Sequence, residues 1–156
     1  MKIKTNFIMI LSLSLLLAAC DTRPQYKNYS GSDASCIQGD FANFLKVFFA
    51  GESYVGIEEI DGLSSDAGVK GKACVTPGKH KVGLTAIKEN ITLNKLIEMN
   101  FIAGKNYKIT AEKDGIHFEF TILDVTDGNK SVIGKFDGYI SQVIQPITPV
   151  FIRVQR

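Results

Sequence analysis

Tyr107-Lys108-Ile109-Thr110-Ala111-Glu112-Lys113-Asp114-Gly115-Ile116-His117-Phe118-Glu119-Phe120-Thr121-Ile122 reads as two strands joined by a turn. Tyr107, Ile109 and Ala111 alternate with Lys108, Thr110 and Glu112, and Ile116, Phe118, Phe120 and Ile122 alternate with His117, Glu119 and Thr121. A period of two sends one set to a core and the other to water. Lys113-Asp114-Gly115 supplies the reversal, since glycine reaches positive φ without steric cost. The stretch 107–122 therefore predicts a β-hairpin.

The same period runs through Val82, Leu84 and Ala86, set against Lys81, Gly83 and Thr85. Phe44-Leu45-Lys46-Val47-Phe48-Phe49 and Tyr54-Val55-Gly56-Ile57 are more continuously apolar, as central strands are, although the first also fits a short helix. Turn signals separate the runs: Asp61-Gly62, Pro77-Gly78, Gly104-Lys105-Asn106, Asp114-Gly115 and Asp127-Gly128. The best helix candidate is 88–96. Tyr139 to Arg156 holds Pro146 and Pro149, which confine it to an extended path, with 150–154 as a last strand or else a partner-binding tail. Many short strands and no long helical pattern predict an all-β fold: an antiparallel β-sandwich of seven or eight strands.

The first twenty residues, MKIKTNFIMILSLSLLLAAC, follow a different logic. Lys2 and Lys4 precede an apolar run of thirteen residues, Phe7 to Ala19. At ~1.5 Å per residue such a helix is about 20 Å long, short of a ~30 Å hydrocarbon core, so it predicts an export signal rather than a membrane span. Leu17-Ala18-Ala19-Cys20 resembles the lipobox of bacterial lipoproteins. The resemblance implies cleavage between Ala19 and Cys20, a diacylglyceryl thioether on the Cys20 thiol, and N-acylation of the new terminus. Several acyl chains hold a protein far more firmly than one. An ordinary secretion signal with an incidental cysteine is the plainer alternative. Asp21 resembles the enterobacterial signal for retention in the inner membrane, facing the periplasm; the outer membrane and a Gram-positive cell surface remain alternatives.

This reading divides the chain into a signal peptide (1–19), a lipidated flexible tether (20–35) and a β-sandwich domain (36–156). The tether, DTRPQYKNYSGSDAS after Cys20, is polar, and as a random coil it would reach roughly 20–25 Å. The whole chain has 18 Lys+Arg against 16 Asp+Glu. The signal removes two lysines and no acid, so the mature protein is neutral, which argues against nucleic acid as a partner and against long-range steering.

With Cys20 acylated, Cys36 and Cys74 remain as an even pair in an exported protein, and the oxidising compartment favours a disulfide between them. Two separate buried thiols or a metal site are the rival readings. No C-x-x-C occurs, so redox and zinc-ribbon motifs are absent.

A second resemblance covers about fifty residues. Ile60-Asp61-Gly62, then Thr76-Pro77-Gly78-Lys79-His80-Lys81-Val82, then Phe101-x-Ala103-Gly104-Lys105-x-Tyr107-x-Ile109 is similar to PEGA-type β-modules and to small envelope lipoproteins of β-sandwich type. The Gly-Tyr ending of PEGA modules is missing. The resemblance implies a non-enzymatic module and names no ligand.

Residues for catalysis are sparse. His80 follows a Pro-Gly turn and His117 lies on the polar row of a strand; both read as solvated or capping histidines. Glu58 and Glu59 are neighbours, and on a strand they point to opposite faces, so they form no carboxylate pair. G-x-S-x-G, G-x-x-x-x-G-K-[ST] and G-x-G-x-x-G are absent, and no cofactor is expected. Asp124-Val-Thr-Asp127-Gly-Asn129 looks like a calcium loop but has Asn129 at its sixth position and Lys135 at its twelfth, so a hairpin tip is the better reading and no metal is expected. Lys70, Lys72, Lys79, His80 and Lys81 bracket the Pro77-Gly78 turn. They read as edge lysines that oppose aggregation, with an anionic envelope surface as the alternative.

The expected function is thus a lipid-anchored envelope protein with a non-catalytic binding or structural role. Its partners would be the membrane, through the lipid on Cys20, and an envelope protein. A displayed enzyme or enzyme inhibitor, or a sugar- or peptide-binding module, is the runner-up.

Overall fold

The computed structural model describes residues 24–40, 53–67, 71–89, 91–139 and the strand Phe151–Ile152. Cys20, Asp21, the run Phe44 to Phe49, Lys70 and most of the C-terminal stretch lie outside the described residues.

The described chain is an all-β sandwich of two five-stranded, mainly antiparallel sheets. Its strands are β1 (Ser35–Gln38), β2 (Tyr54–Ile60), β3 (Leu63–Ser64), β4 (Ala73–Val75), β5 (Gly78–Lys88), β6 (Ile91–Phe101), β7 (Asn106–Asp114), β8 (His117–Asp124), β9 (Ser131–Tyr139) and β10 (Phe151–Ile152). One sheet runs β4-β1-β7-β8-β9 and the other β10-β6-β5-β2-β3. The parallel pairs are β1 with β7 and β10 with β6. Ten strands occur among the described residues, against the seven or eight expected; two of them, β3 and β10, have only two residues each.

The core follows the alternation. Val82, Leu84 and Ala86 of β5 share one buried core with Tyr107, Ile109 and Ala111 of β7 and Phe118, Phe120 and Ile122 of β8. Phe120 stacks on Phe136 with ring centres 4.8 Å apart. Phe101 ends one sheet and Tyr107 begins the other, and their rings meet edge to face at 5.6 Å, pinning the layers together. Ile116 breaks its expected row: it sits in the two-residue loop between β7 and β8 and is 67% exposed.

Four local expectations change. The segment 88–96 is not helical; from Ile91 it belongs to β6, which pairs residue for residue with β5 from Gly78↔Phe101 to Lys88↔Ile91. Lys95 stands on the inward row, opposite Leu84, and this interruption hides the period of two in Leu93, Ile97, Met99 and Phe101. Pro77-Gly78 and Gly104 do not close hairpins. They carry the chain from one sheet to the other, at positive φ of 128° and 70°. Glu58 and Glu59 do not simply alternate, because the β2–β5 register shifts between Ile57 and Glu59. The bulge turns Ile60 back to the core three residues after Ile57.

The fourth change concerns the expected tether. Its residues from Pro24 onward are bound to the domain. The Ser64 N–H donates to the Pro24 carbonyl, the Tyr26 N–H to the Ser64 carbonyl, and the Tyr29 N–H to the Cys74 carbonyl. Ser35, assigned to the tether, opens β1 fully buried, its hydroxyl donating to the Lys105 carbonyl at 3.0 Å.

The sandwich has two distinct ends. The β5–β6 and β7–β8 loops share one, where Lys113 Nζ meets Glu89 Oε2 at 2.9 Å. The other holds the Asp61-Gly62 turn, the β4–β5 and β6–β7 crossovers and residues 24–34. Close backbone approach matters at Gly39, where an added Cβ would lie 1.9 Å from the Val55 carbonyl oxygen. Neither backbone can yield cheaply, so Gly39→Ala is expected to lower stability by about 1–3 kcal/mol in urea unfolding.

Candidate functional site

Residues 24–34 form a strap across one corner of the sandwich, between the edge strands β3 and β4. Gln25 bridges Ser64 of β3. The strap then takes up both backbone groups of Cys74 on β4: the Cys74 N–H donates to Asn28 Oδ1 at 2.9 Å, and its carbonyl accepts from the Tyr26 hydroxyl at 2.8 Å and from the Tyr29 N–H at 2.8 Å. An edge strand otherwise offers such groups to another chain, and the strap removes that opening. Burial, and then the negative charge of Asp61, raises the pKa of the Tyr26 hydroxyl above the usual phenol range.

Cys36 and Cys74 are joined by a disulfide directly across the β1–β4 pair, with Cα atoms 4.0 Å apart. Strap, disulfide and edge strand are thus one assembly. On its far side Cys36 donates its N–H to Lys105, and Gly104 donates its N–H to Asp33, tying the strap to the β6–β7 crossover.

Two residues after Cys74 the chain reaches Thr76, which belongs to a second cluster. His80 Nδ1 lies 2.6 Å from Asp61 Oδ2, and His80 Nε2 lies 2.9 Å from the Thr76 carbonyl and 3.2 Å from its hydroxyl. The other Asp61 oxygen accepts the Lys81 N–H at 2.8 Å. Threonine, histidine and aspartate stand here in the order of a nucleophile, a base and its orienting acid. The geometry is that of a brace. Nε2 is nearer the carbonyl than the hydroxyl, the imidazole side chain is only 14% exposed, and the ring meets Phe101 edge-on at 5.6 Å. The trio locks the β2–β3 turn to the β4–β5 crossover.

Asp124, first residue of the calcium-like stretch, is turned inward to the protein's own donors. Its carboxylate accepts from the Thr126 N–H and hydroxyl and pairs with Lys105 Nζ at 3.1 Å. Burial works to raise its pKa, but the Thr126 hydrogen bonds and Lys105 outweigh it and hold the acid below the usual carboxylate range. Lys105 is raised in turn by its bond to Asp124. A depressed carboxylate adds stability above its unfolded pKa and loses it as pH falls through the folded one. The stability gap between the native protein and Asp124→Asn is therefore expected to be full at about pH 6 and to shrink from about pH 4 downward, as read by urea unfolding at each pH.

The remaining sequence candidates are dispersed. His117 lies on the outer face of β8, 2.8 Å from Asp137 and beside the Tyr139 ring. Lys79 pairs with Glu98 at 3.3 Å, while Lys72 and Lys81 are exposed. No group of three or more metal-binding side chains occurs among the described residues. The strap and the Thr76–His80–Asp61 brace are the features that reading along the chain did not find. The two tyrosines, Tyr26 and Tyr29, in an otherwise polar stretch were the available signal for the strap. The chain matches no known protein family, no curated protein and no solved structure.

Proposed function

We propose that this chain is a lipid-anchored protein of the bacterial cell envelope whose β-sandwich has a non-catalytic, binding or structural role. One observation carries the reading: Leu17-Ala18-Ala19-Cys20 behind a lysine-led apolar segment of export length. The Cys36–Cys74 disulfide supports it, because such bonds persist in oxidising compartments outside the cytosol. The strap supports it too, since the chain that would arrive from the membrane is received by a dedicated corner of the domain. Asp21 favours the inner membrane, facing the periplasm, over the outer membrane. The non-catalytic role rests on the use of Thr76, His80 and Asp61 as a brace. The membrane is one partner, and an envelope protein is the other.

Expression in a bacterial host with radiolabelled palmitate tests the anchor. The mature product is expected to begin at Cys20, carry label and enter the detergent phase of Triton X-114. Cys20→Ser is expected to accumulate as unlabelled, uncleaved precursor. Normal maturation of that variant would refute the proposal.

A further inference from the structure

The length of chain between the lipid-bearing residue and the strap limits how far the domain can stand from the bilayer. Cys20 and Pro24 are four residues apart in sequence, so their Cα atoms are separated by at most about 14 Å. The tether expected from sequence was longer because it extended to residue 35; the strap takes up all of it from Pro24 onward. The sandwich is longer than this leash. At ~3.3 Å per residue the nine residues of β7 alone span about 27–30 Å. The end bearing the strap is therefore held near the headgroups, and the end bearing the β7–β8 loop is held away from them.

The strap end carries two exposed apolar side chains on neighbouring loops. Tyr29 and Ile102 are each 37% exposed. Their loops are joined by the bond from the Gly104 N–H to the Asp33 carbonyl, and the Tyr29 hydroxyl donates to Asp33 at 2.9 Å. Ile102 is held in place by its own N–H, which donates to the Tyr107 hydroxyl. An aromatic ring with a polar tip beside an aliphatic side chain suits the boundary between headgroups and acyl chains. Lys105 at this end is paired with Asp124 at 3.1 Å.

Resting on the lipid-anchor reading above, we infer that the mature protein docks its strap end against the bilayer, with Tyr29 and Ile102 in the headgroup layer. The opposite end, with Ile116 and Tyr139 exposed at 67% and 62%, then points away from the membrane.

The chain contains no tryptophan, so single tryptophans report position cleanly. The full-length protein carrying Tyr29→Trp, Ile102→Trp or Ile116→Trp is matured in a bacterial host and reconstituted into phosphatidylcholine vesicles, with or without shallow-brominated phosphatidylcholine. Flotation with the vesicles is measured in parallel. Tyr29→Trp and Ile102→Trp are expected to lose about half their emission to the brominated lipid and to shift to the blue, as groups within about 5–10 Å of the acyl boundary do. Ile116→Trp is expected to stay unquenched by lipid and open to acrylamide. Flotation with Tyr29→Trp and Ile102→Trp still open to acrylamide would leave the anchor standing and overturn the docking. Equal lipid quenching at Ile116→Trp would overturn the orientation. Failure to float would remove the anchor and the docking together.

Discussion

Replacing both Cys36 and Cys74 by alanine is expected to lower the stability of the folded domain by about 4 kcal/mol. The bond closes a loop with a sequence separation of 38, and the chain-entropy model gives that figure for a loop of this size. A small domain is stable by only about 5–15 kcal/mol, so the loss is a large share. A second consequence is local. β4 has three residues and is held on one side by β1 and on the other by the strap. Without the bridge, β4 and the strap are expected to open together before the remaining sheets unfold. Urea unfolding with and without reductant gives the global term. Amide exchange at Cys74 and Tyr29 gives the local one, since both N–H groups are bonded within this assembly. Equal unfolding midpoints for the oxidised and reduced protein would contradict the first expectation, and unchanged exchange at Cys74 the second.

Phe120→Ala is expected to cost about 3–5 kcal/mol, the range for emptying a buried phenylalanine site. Phe120 is fully buried at the centre of β8, pairs with Ala111 and Phe136 on its neighbours, and stacks on the Phe136 ring. The site has little freedom to collapse, because Gly138 packs its backbone against Leu93 and Phe120 where any side chain would clash. Phe120→Leu retains most of the volume and is expected to cost clearly less. If urea unfolding showed alanine and leucine to be equivalent here, the core would be less tightly packed than its geometry implies.

These two expectations differ in how far the sequence alone could have reached them. The row Phe118, Phe120, Ile122 was legible because alternation on a strand is a local property, fixed by the pleat. Ile116 fell out of that row for an equally local reason: a two-residue loop ends the pleat one step early. β6 was obscured by one residue, Lys95, whose position on the inward row blurred the period at a half-buried site. Pro77-Gly78 and Gly104 mark breaks between strands. A turn residue, however, states that the chain changes direction without stating whether it stays in the same sheet.

The strap shows the same boundary more sharply. Its partners lie 46 and 48 residues away, and its polar composition is that of a linker. Tyr26 and Asn28 make no repeating pattern, because each serves a single backbone group of Cys74. Likewise Asp61, Thr76 and His80 meet only because the β4–β5 crossover and the β2–β3 turn converge at the same end of the sandwich.

By itself the sequence determined the all-β class and the inward rows of β5, β7 and β8 from Phe118 onward, and it favoured a bridge between Cys36 and Cys74. Each of these follows from residue spacing or from the chemistry of a side chain. Only the tertiary structure decided that residues from Pro24 belong to the domain, that the Pro-Gly step crosses between sheets, and that His80 is held as a brace. Those depend on which distant backbone groups are left without partners at a sheet edge, and edges exist only after the sheets have assembled.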